Sequence, residues 1–257
     1  MPELPEVESA VRRLRDALVG RTIADVKLLH PALRRRLSPA RARSLRGARI
    51  AGVERRGKHQ LVHLEDGRIL HAHFRMTGDW TIDTVTDELP RFARAAIALD
   101  NGSRVVLDDP RALSTLDVHA ANAAPSLGLG PEPSDPALTA SSLHEAFAKR
   151  RGPVKPVLLD QRVIAGLGNI YAAESLWHAR ISPTTPAASL SEKQIAVLLR
   201  AIRAVIAKAT GARYTDSSVS RLAVYDREGK RCRRCGSTIE RIVQAGRSTY
   251  FCPGCQT

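Results

Sequence analysis

Cysteine is scarce in this chain, and its four copies all lie between Cys232 and Cys255, which rules out a disulfide framework running through the fold. No apolar run approaches the ~20 residues that a membrane span needs. The opening stretch Pro2 to Glu8 is acidic rather than basic and apolar, so it is not a secretory signal. A cytoplasmic protein without a membrane partner is therefore expected. A GxGxxG fingerprint is missing, and no internal repeat is evident. Acids are also in short supply, 26 Asp+Glu against 40 Lys+Arg, and their spacing forms no carboxylate cluster of the kind a metal-dependent nuclease requires. The formal net charge of +14 and pI near 10.5 favour a polyanionic partner, nucleic acid before a membrane surface. Most of the positive charge is arginine, whose planar fork suits phosphate. At 257 residues the chain is long enough for one large or two ordinary domains with real cores.

The first eight residues are Met1-Pro2-Glu3-Leu4-Pro5-Glu6-Val7-Glu8. Removal of Met1, which a small second residue permits, leaves a secondary amine at Pro2. An α-amino group titrates near pKa ~8, so much of it is unprotonated at neutral pH. Pro5 suits the first turn of a helix, Glu6 and Glu8 suit its positive end, and Val7, Ala10, Val11, Leu14 and Leu18 give it a buried stripe. An N-terminal amine beside a carboxylate is a candidate Schiff-base site. Taken alone, the same residues describe a capped helix start before they describe a nucleophile.

Beyond Gly20, Ile23 to Leu29 reads as a strand. Pro31 to Arg46 holds six arginines (Arg34, Arg35, Arg36, Arg41, Arg43, Arg46) and no acid. Short β-like runs follow at Ile50 to Val53, Gln60 to Leu64, Ile69 to Phe74, Ala95 to Leu99 and Val105 to Leu107. Glu65-Asp66-Gly67 and Asp100-Asn101-Gly102 are hairpin signals. A mainly antiparallel β-sandwich with the first helix packed on it is expected. Two loops in this half carry polar chemistry, Arg56-Gly57-Lys58-His59 before a strand and Asp108-Asp109-Pro110-Arg111 after one. The acids of the second loop are expected to cap a turn, and His71, His73 and Met76 to pack rather than hold a metal.

Ala120 to Ala137, rich in Ala, Pro, Gly and Ser, is the best boundary in the chain. Helices are expected over Thr139 to Arg151, Ala172 to Ala179 and Ser191 to about Ala209. A glycine-punctuated turn, Ile164 to Tyr171, precedes the second helix and should expose backbone amides as an anion site. Cys232-x-x-Cys235 and Cys252-x-x-Cys255, sixteen residues apart, have the spacing of a four-thiolate zinc site that is structural because no position stays open. Residues 220–257 carry eight Lys+Arg against three Asp+Glu, so this hairpin is itself basic, and Arg247 lies in its Gly246-to-Thr249 turn.

Together these pieces resemble the bacterial formamidopyrimidine-DNA glycosylase and endonuclease VIII family. The resemblance rests on Pro2-Glu3-Leu4-Pro5-Glu6-Val7-Glu8, Gly57-Lys58, Asp109-Pro110-Arg111, Gly168-Asn169-Ile170-Tyr171-Ala172 and the zinc hairpin ending Arg247-Ser248-Thr249-Tyr250-Phe251-Cys252, in the family's order. It implies an α+β fold with a catalytic β-sandwich over 1–120, a linker over 121–137, a helix–two-turns–helix domain over 138–215 and a zinc-finger hairpin over 220–257. It also implies a monomeric base-excision repair enzyme, nucleoid-associated, that excises oxidised bases from double-stranded DNA and nicks abasic sites by β,δ-elimination. By match Pro2 is the nucleophile, Glu3 its acid–base partner, Lys58 a DNA contact assisting proton transfer, and Arg247 and Asn169 phosphate grips. Lys155 would be a further phosphate contact and Glu6 would shape the lesion pocket. His73, Met76 and Arg111 would enter the minor groove, with Met76 and Arg111 filling the gap left by the flipped base.

Three departures bear on specificity. Asp109-Pro110-Arg111-Ala112-Leu113-Ser114 carries an aliphatic wedge where many members have an aromatic one, and His73-Phe74-Arg75 precedes Met76 where a glycine is common. The stretch from Gly211 to Tyr225 is shorter than in members that cap oxidised guanine. An endonuclease VIII-like preference for oxidised pyrimidines is one alternative, and a non-catalytic damaged-DNA-binding module is the other.

Overall fold

The computed structural model describes residues 2–121, 123–210 and 222–257. Met1 and most of the shortened 211–225 segment lie outside the described residues. The chain divides into two compact units, one of Pro2 with Glu6–Leu127 and one of Glu3–Pro5 with Gly128–Thr257.

In the first unit the stripe of α1 (Leu4–Leu18) is buried as its spacing predicts, Val7, Ala10, Val11, Leu14 and Leu18 all facing the core. Two four-stranded antiparallel sheets meet it. One runs β1-β6-β7-β5, with β1 at Ile23–Leu28, β5 at Asp79–Thr84, β6 at Ala93–Leu99 and β7 at Ser103–Asp108. The other runs β2-β3-β4-β8, with β2 at Ile50–Arg56, β3 at His59–Leu64, β4 at Ile69–His73 and β8 at Thr115–His119. Inward side chains of both sheets, among them Ile97, Val105, Leu107, Val62, Leu70 and Leu116, join the helix stripe in one core, each full burial contributing ~1.5–3 kcal/mol. The expected hairpin turns join β3 to β4 and β6 to β7, with Gly67 and Gly102 at φ +82° and +81°.

Strands β5 and β8 were not expected from periodicity. Of β5 only Trp80 is buried, and the strand is held by its full register against β7, from Asp79↔Asp108 to Thr84↔Ser103. The Arg104 guanidinium also bridges its Asp83 through two hydrogen bonds of 2.8 and 2.9 Å. The arginine-rich stretch folds as a 3-10 turn, Pro31–Arg35, and α2 (Pro39–Arg43), whose N-cap Ser38 accepts from the Arg41 amide. Leu33 and Ala42 are buried there while all six arginines point outward.

The second unit is helical, with α3 (Ala140–Ala148), α4 (Val154–Leu158), α5 (Asn169–Ala179) and α6 (Glu192–Ala209). Thr139 and Ser191 are N-caps in capping boxes closed by Ser142 and Gln194. Phe147, Leu158, Ile164, Leu167, Leu176, Ile195, Leu198 and Ile202 form its core. Helix α5 begins at Asn169, three residues before the expected Ala172, for a reason found in its cap. The unit ends in a hairpin of β9 (Glu240–Gln244) and β10 (Arg247–Phe251) between the cysteine pairs. Among the described residues no helix is long and apolar enough to cross a membrane.

Candidate functional site

The start of α5 has no side-chain cap from its own Gly168. The cap is Glu3. Its carboxylate accepts from the Ile170 amide at 2.8 Å and from the Tyr171 amide at 3.3 Å, and the residue is fully buried. The anion site expected on this turn is therefore filled by the chain's own carboxylate, which the positive end of the helix holds in place. Both glycines of the turn exist for close approach. A Cβ on Gly168 would lie 2.3 Å from the Glu3 carboxyl carbon, and one on Gly166 would lie 2.5 Å from Leu4 Cδ1. Leu4 also donates its amide to the Gly166 carbonyl at 3.1 Å. Pro2, buried, is covalently next to this fixed carboxylate.

Beside it lies a second tie. The Lys155 ammonium, on α4, donates to Asn169 Oδ1 at 2.6 Å, to Thr249 Oγ1 at 2.7 Å and to the Ser248 carbonyl at 3.1 Å. Lys155 is 1% exposed, so all three of its donors are spent inside the unit. In this structure Lys155, expected from the resemblance to contact a phosphate, fixes the groups around it. Burial, and then the nearby Arg247 guanidinium, pull it down to about 8, against the opposing pull of Glu3. Because lysine only donates, it turns Asn169 Oδ1 inward, and Asn169 Nδ2 donates to the Ser248 carbonyl at 3.0 Å. Asn169 stays half-exposed and Arg247 exposed. Arg247 opens β10 rather than lying in the turn, which is formed by Ala245 and Gly246 at φ +46° and +72°, a two-residue hairpin turn.

The four cysteine sulfurs lie within 4.8 Å of one another, the only group of three or more such donors among the described residues. Their contacts of 3.4 and 3.8 Å approach the ~3.8 Å edge of a tetrahedron with Zn–S near 2.3 Å. Burial, then Cys235 and Cys232, push the Cys252 thiol up to about 12, while, against burial, hydrogen bonds from the Arg234 and Cys235 amides hold the Cys232 thiol at about 6. The donor set fits one structural zinc ion with no open position. Glu174, not singled out from sequence, secures this module: its buried carboxylate accepts from the amides of Ala223, Val224 and Tyr225 at 2.8–2.9 Å. It is the one acid in an otherwise apolar helix face, which was its available signal.

In the first unit, Lys58 follows Gly57 between β2 and β3, and His73 ends β4. Burial, then His59, Arg75 and Lys58, pull His73 down to about 3, so these groups share one neighbourhood and His73 is neutral at pH 7. The Arg75 amide donates to its Nδ1 at 2.9 Å, which leaves the proton on Nε2. Asp109 caps its turn as expected, accepting from the amides of Arg111, Leu113 and Ser114 at 3.2, 2.7 and 2.7 Å, and from the Thr77 and Ser114 hydroxyls. Burial pushes this carboxyl up, but those hydrogen bonds outweigh it and hold it below the ordinary range. The Ser114 hydroxyl also donates to the Phe74 carbonyl at 3.0 Å, so the loops bearing Met76 and Arg111–Leu113 interlock and leave Met76 and Leu113 37% and 42% exposed. Glu6 sits half-buried in the first turn of α1, while Glu8 pairs with Arg55 at 2.8 Å and Arg12 at 3.0 Å.

Family models match nearly the whole chain. Residues 1–116 match the formamidopyrimidine-DNA glycosylase N-terminal domain, 129–220 the formamidopyrimidine-DNA glycosylase H2TH domain, and 229–257 the zinc finger found in FPG and IleRS. The chain is 41% identical over 271 residues to the formamidopyrimidine-DNA glycosylase of Chloroflexus aurantiacus, covering 100% of this chain and 98% of that one. Identity to that of Paracoccus denitrificans is 40% over 280 residues, with 100% of each covered. Among solved structures it is similar to the Lactococcus lactis enzyme non-covalently bound to DNA containing an AP site, at TM-score 0.92, 31% identity and 99% of each chain. It is equally similar to MutM in complex with DNA containing carbocyclic 8-oxo-G, at TM-score 0.93, 31% identity and 100% of each chain.

Proposed function

The chain belongs to the formamidopyrimidine-DNA glycosylase family, and from that premise we propose that it excises oxidised bases from duplex DNA through an imine at Pro2 and then nicks the strand. The unprotonated Pro2 amine attacks the anomeric carbon of an extruded nucleotide. The N-glycosidic bond breaks, and the base leaves with its electron pair and takes up a proton. Glu3, held on the amides of Ile170 and Tyr171, stands beside the amine and shuttles the proton that opens the sugar ring. Loss of a C2′ proton from the iminium expels the 3′ phosphate, a second elimination expels the 5′ phosphate, and water releases Pro2.

Lys58 contacts DNA and assists proton transfer. Asn169 and Arg247 grip backbone phosphates, with the buried Lys155 holding Asn169 and the two residues that follow Arg247 on β10. Met76, Arg111 and Leu113 occupy the gap left by the extruded base, with His73 donating from Nε2 in the minor groove, and Glu6 shapes the lesion pocket. The single observation carrying this reading is the buried Glu3 carboxylate, anchored across 167 residues onto the start of α5 with two glycines cleared for it.

Lesion class follows from a cleavage panel of duplexes carrying oxidised purines, oxidised pyrimidines or an abasic site. Excision of oxidised purines is the expected result. Excision of pyrimidine lesions alone assigns the endonuclease VIII-like alternative, and binding without cleavage on every duplex contradicts catalysis.

A further inference from the structure

Two features remain outside this function: the acid-free arginine stretch, and a set of histidines on the outer face of β3, β4 and β8. Along β3, Val62 and Leu64 face the core, so His59, Leu61 and His63 face outward. Their cross-strand partners are His73, His71 and Ile69 on β4, and those pair in turn with Thr115, Asp117 and His119 on β8. His59, His71 and His119 therefore lie on one diagonal across three strands. Their rings are hydrogen-bonded in series, His59 Nδ1 to His71 Nε2 at 2.8 Å and His71 Nδ1 to His119 Nε2 at 3.1 Å.

The diagonal joins two regions of cationic charge. Lys58 and Arg75 lie near His59, and Arg36 lies near His71. The one acid opposite His71, Asp117, is already paired with Arg41 at 3.3 Å. Arg41 ties its stretch to the edge strand β8 through the Val118 carbonyl and Asp117, and the neighbouring Arg34, Arg35, Arg36, Arg43 and Arg46 are exposed with no carboxylate partner among the described residues. Arginine charge with no carboxylate partner, beside a row of half-buried imidazoles that carry no negative charge, is the arrangement of a track for phosphates.

We propose that the duplex flanking the lesion on one side runs along this diagonal, from Lys58 over His59, His71 and His119 to the arginines of residues 34–36. The proposal rests on the DNA-repair reading above. Each diagonal step crosses one strand spacing and two residues, ~8 Å, so the three histidines span ~16 Å. At ~3.4 Å of rise per base pair that is about five base pairs, and the arginines continue the contact beyond.

The test compares the zinc-containing protein with an Arg34→Ala, Arg35→Ala, Arg36→Ala variant, and separately with His119→Ala, by anisotropy on duplexes holding an uncleavable abasic analogue. One duplex ends close to the lesion, and two others are extended by about ten base pairs on one side or the other. The wild type should gain roughly tenfold in affinity from one extension only. The triple variant should lose that gain, keep its affinity for the short duplex, and show a log–log salt slope smaller by about 2–3, the loss of about three phosphate contacts. His119→Ala, which leaves the arginines intact, should lose part of the gain. Equal losses on all three duplexes, or a variant that keeps the full gain, would overturn the proposal. Borohydride trapping on the short duplex reads the Pro2 chemistry separately, so the failure of either idea is distinguishable from failure of the other.

Discussion

At the scale of single residues, the chemistry depends on groups whose freedom has been removed. Glu3 is held by two amides, and Lys155 has all three of its donors engaged with Asn169, Ser248 and Thr249. The lysine gives the sharper pH signature. Its folded pKa of about 8 lies below the ordinary 10.5, so between those values the unfolded chain binds more protons than the folded one. The charged form costs stability below pH 8, and that cost is relieved as pH rises from about 8 towards 10.5. A neutral amine, however, keeps only two donors for three acceptors, so the proposed grip of Asn169 and β10 on phosphate should loosen over the same range. Lys155→Met should remove both trends. Relative to it, the wild type should gain thermal stability from pH 8 to 10 while losing affinity for abasic-analogue DNA. Parallel pH profiles for the two proteins would show that Lys155 is not the titrating group.

At the scale of elements, helical and hairpin periodicity was readable wherever neighbours in sequence are neighbours in space. The α1 stripe, the Gly67 and Gly102 turns and the Thr139 and Ser191 caps all follow from residues a few positions apart. The start of α5 did not, because its cap comes from Glu3, 167 positions away. The burial of Lys155 was not legible either, because one of its acceptors, the Ser248 carbonyl, comes from β10, 93 positions on. Strand β5 was missed because only Trp80 of its six residues is buried, so its existence depends on β7. The family resemblance named Pro2, Glu3 and Asn169 but not Glu174, the carboxylate that ties α5 to residues 223–225. Glu174→Gln exchanges a full acceptor for a half-donor facing three amides, which should cost about 1–3 kcal/mol. The expected result is a lower melting temperature and faster zinc loss to a chelator, with the wild-type rate of trapping at low temperature. An unchanged rate of zinc loss would show that the clamp does not support the zinc hairpin.

At the scale of the whole molecule, a formal charge of +14 gives affinity for any polyanion, so steep salt dependence is expected whatever the chemistry. Charge and zinc are shared by a binding protein and an enzyme. What would separate them is the proposed nucleophile, which exists only once Met1 has been removed from Pro2. The decisive measurement is borohydride trapping of zinc-containing protein, its N-terminus verified by mass spectrometry, on duplex DNA with an oxidised base or an abasic site. Trimmed protein should become covalently joined to the strand, with the adduct mapped to Pro2, while protein that retains Met1 should give none. Trapping that is undiminished with Met1 in place, or an adduct mapped to any lysine, would contradict the account.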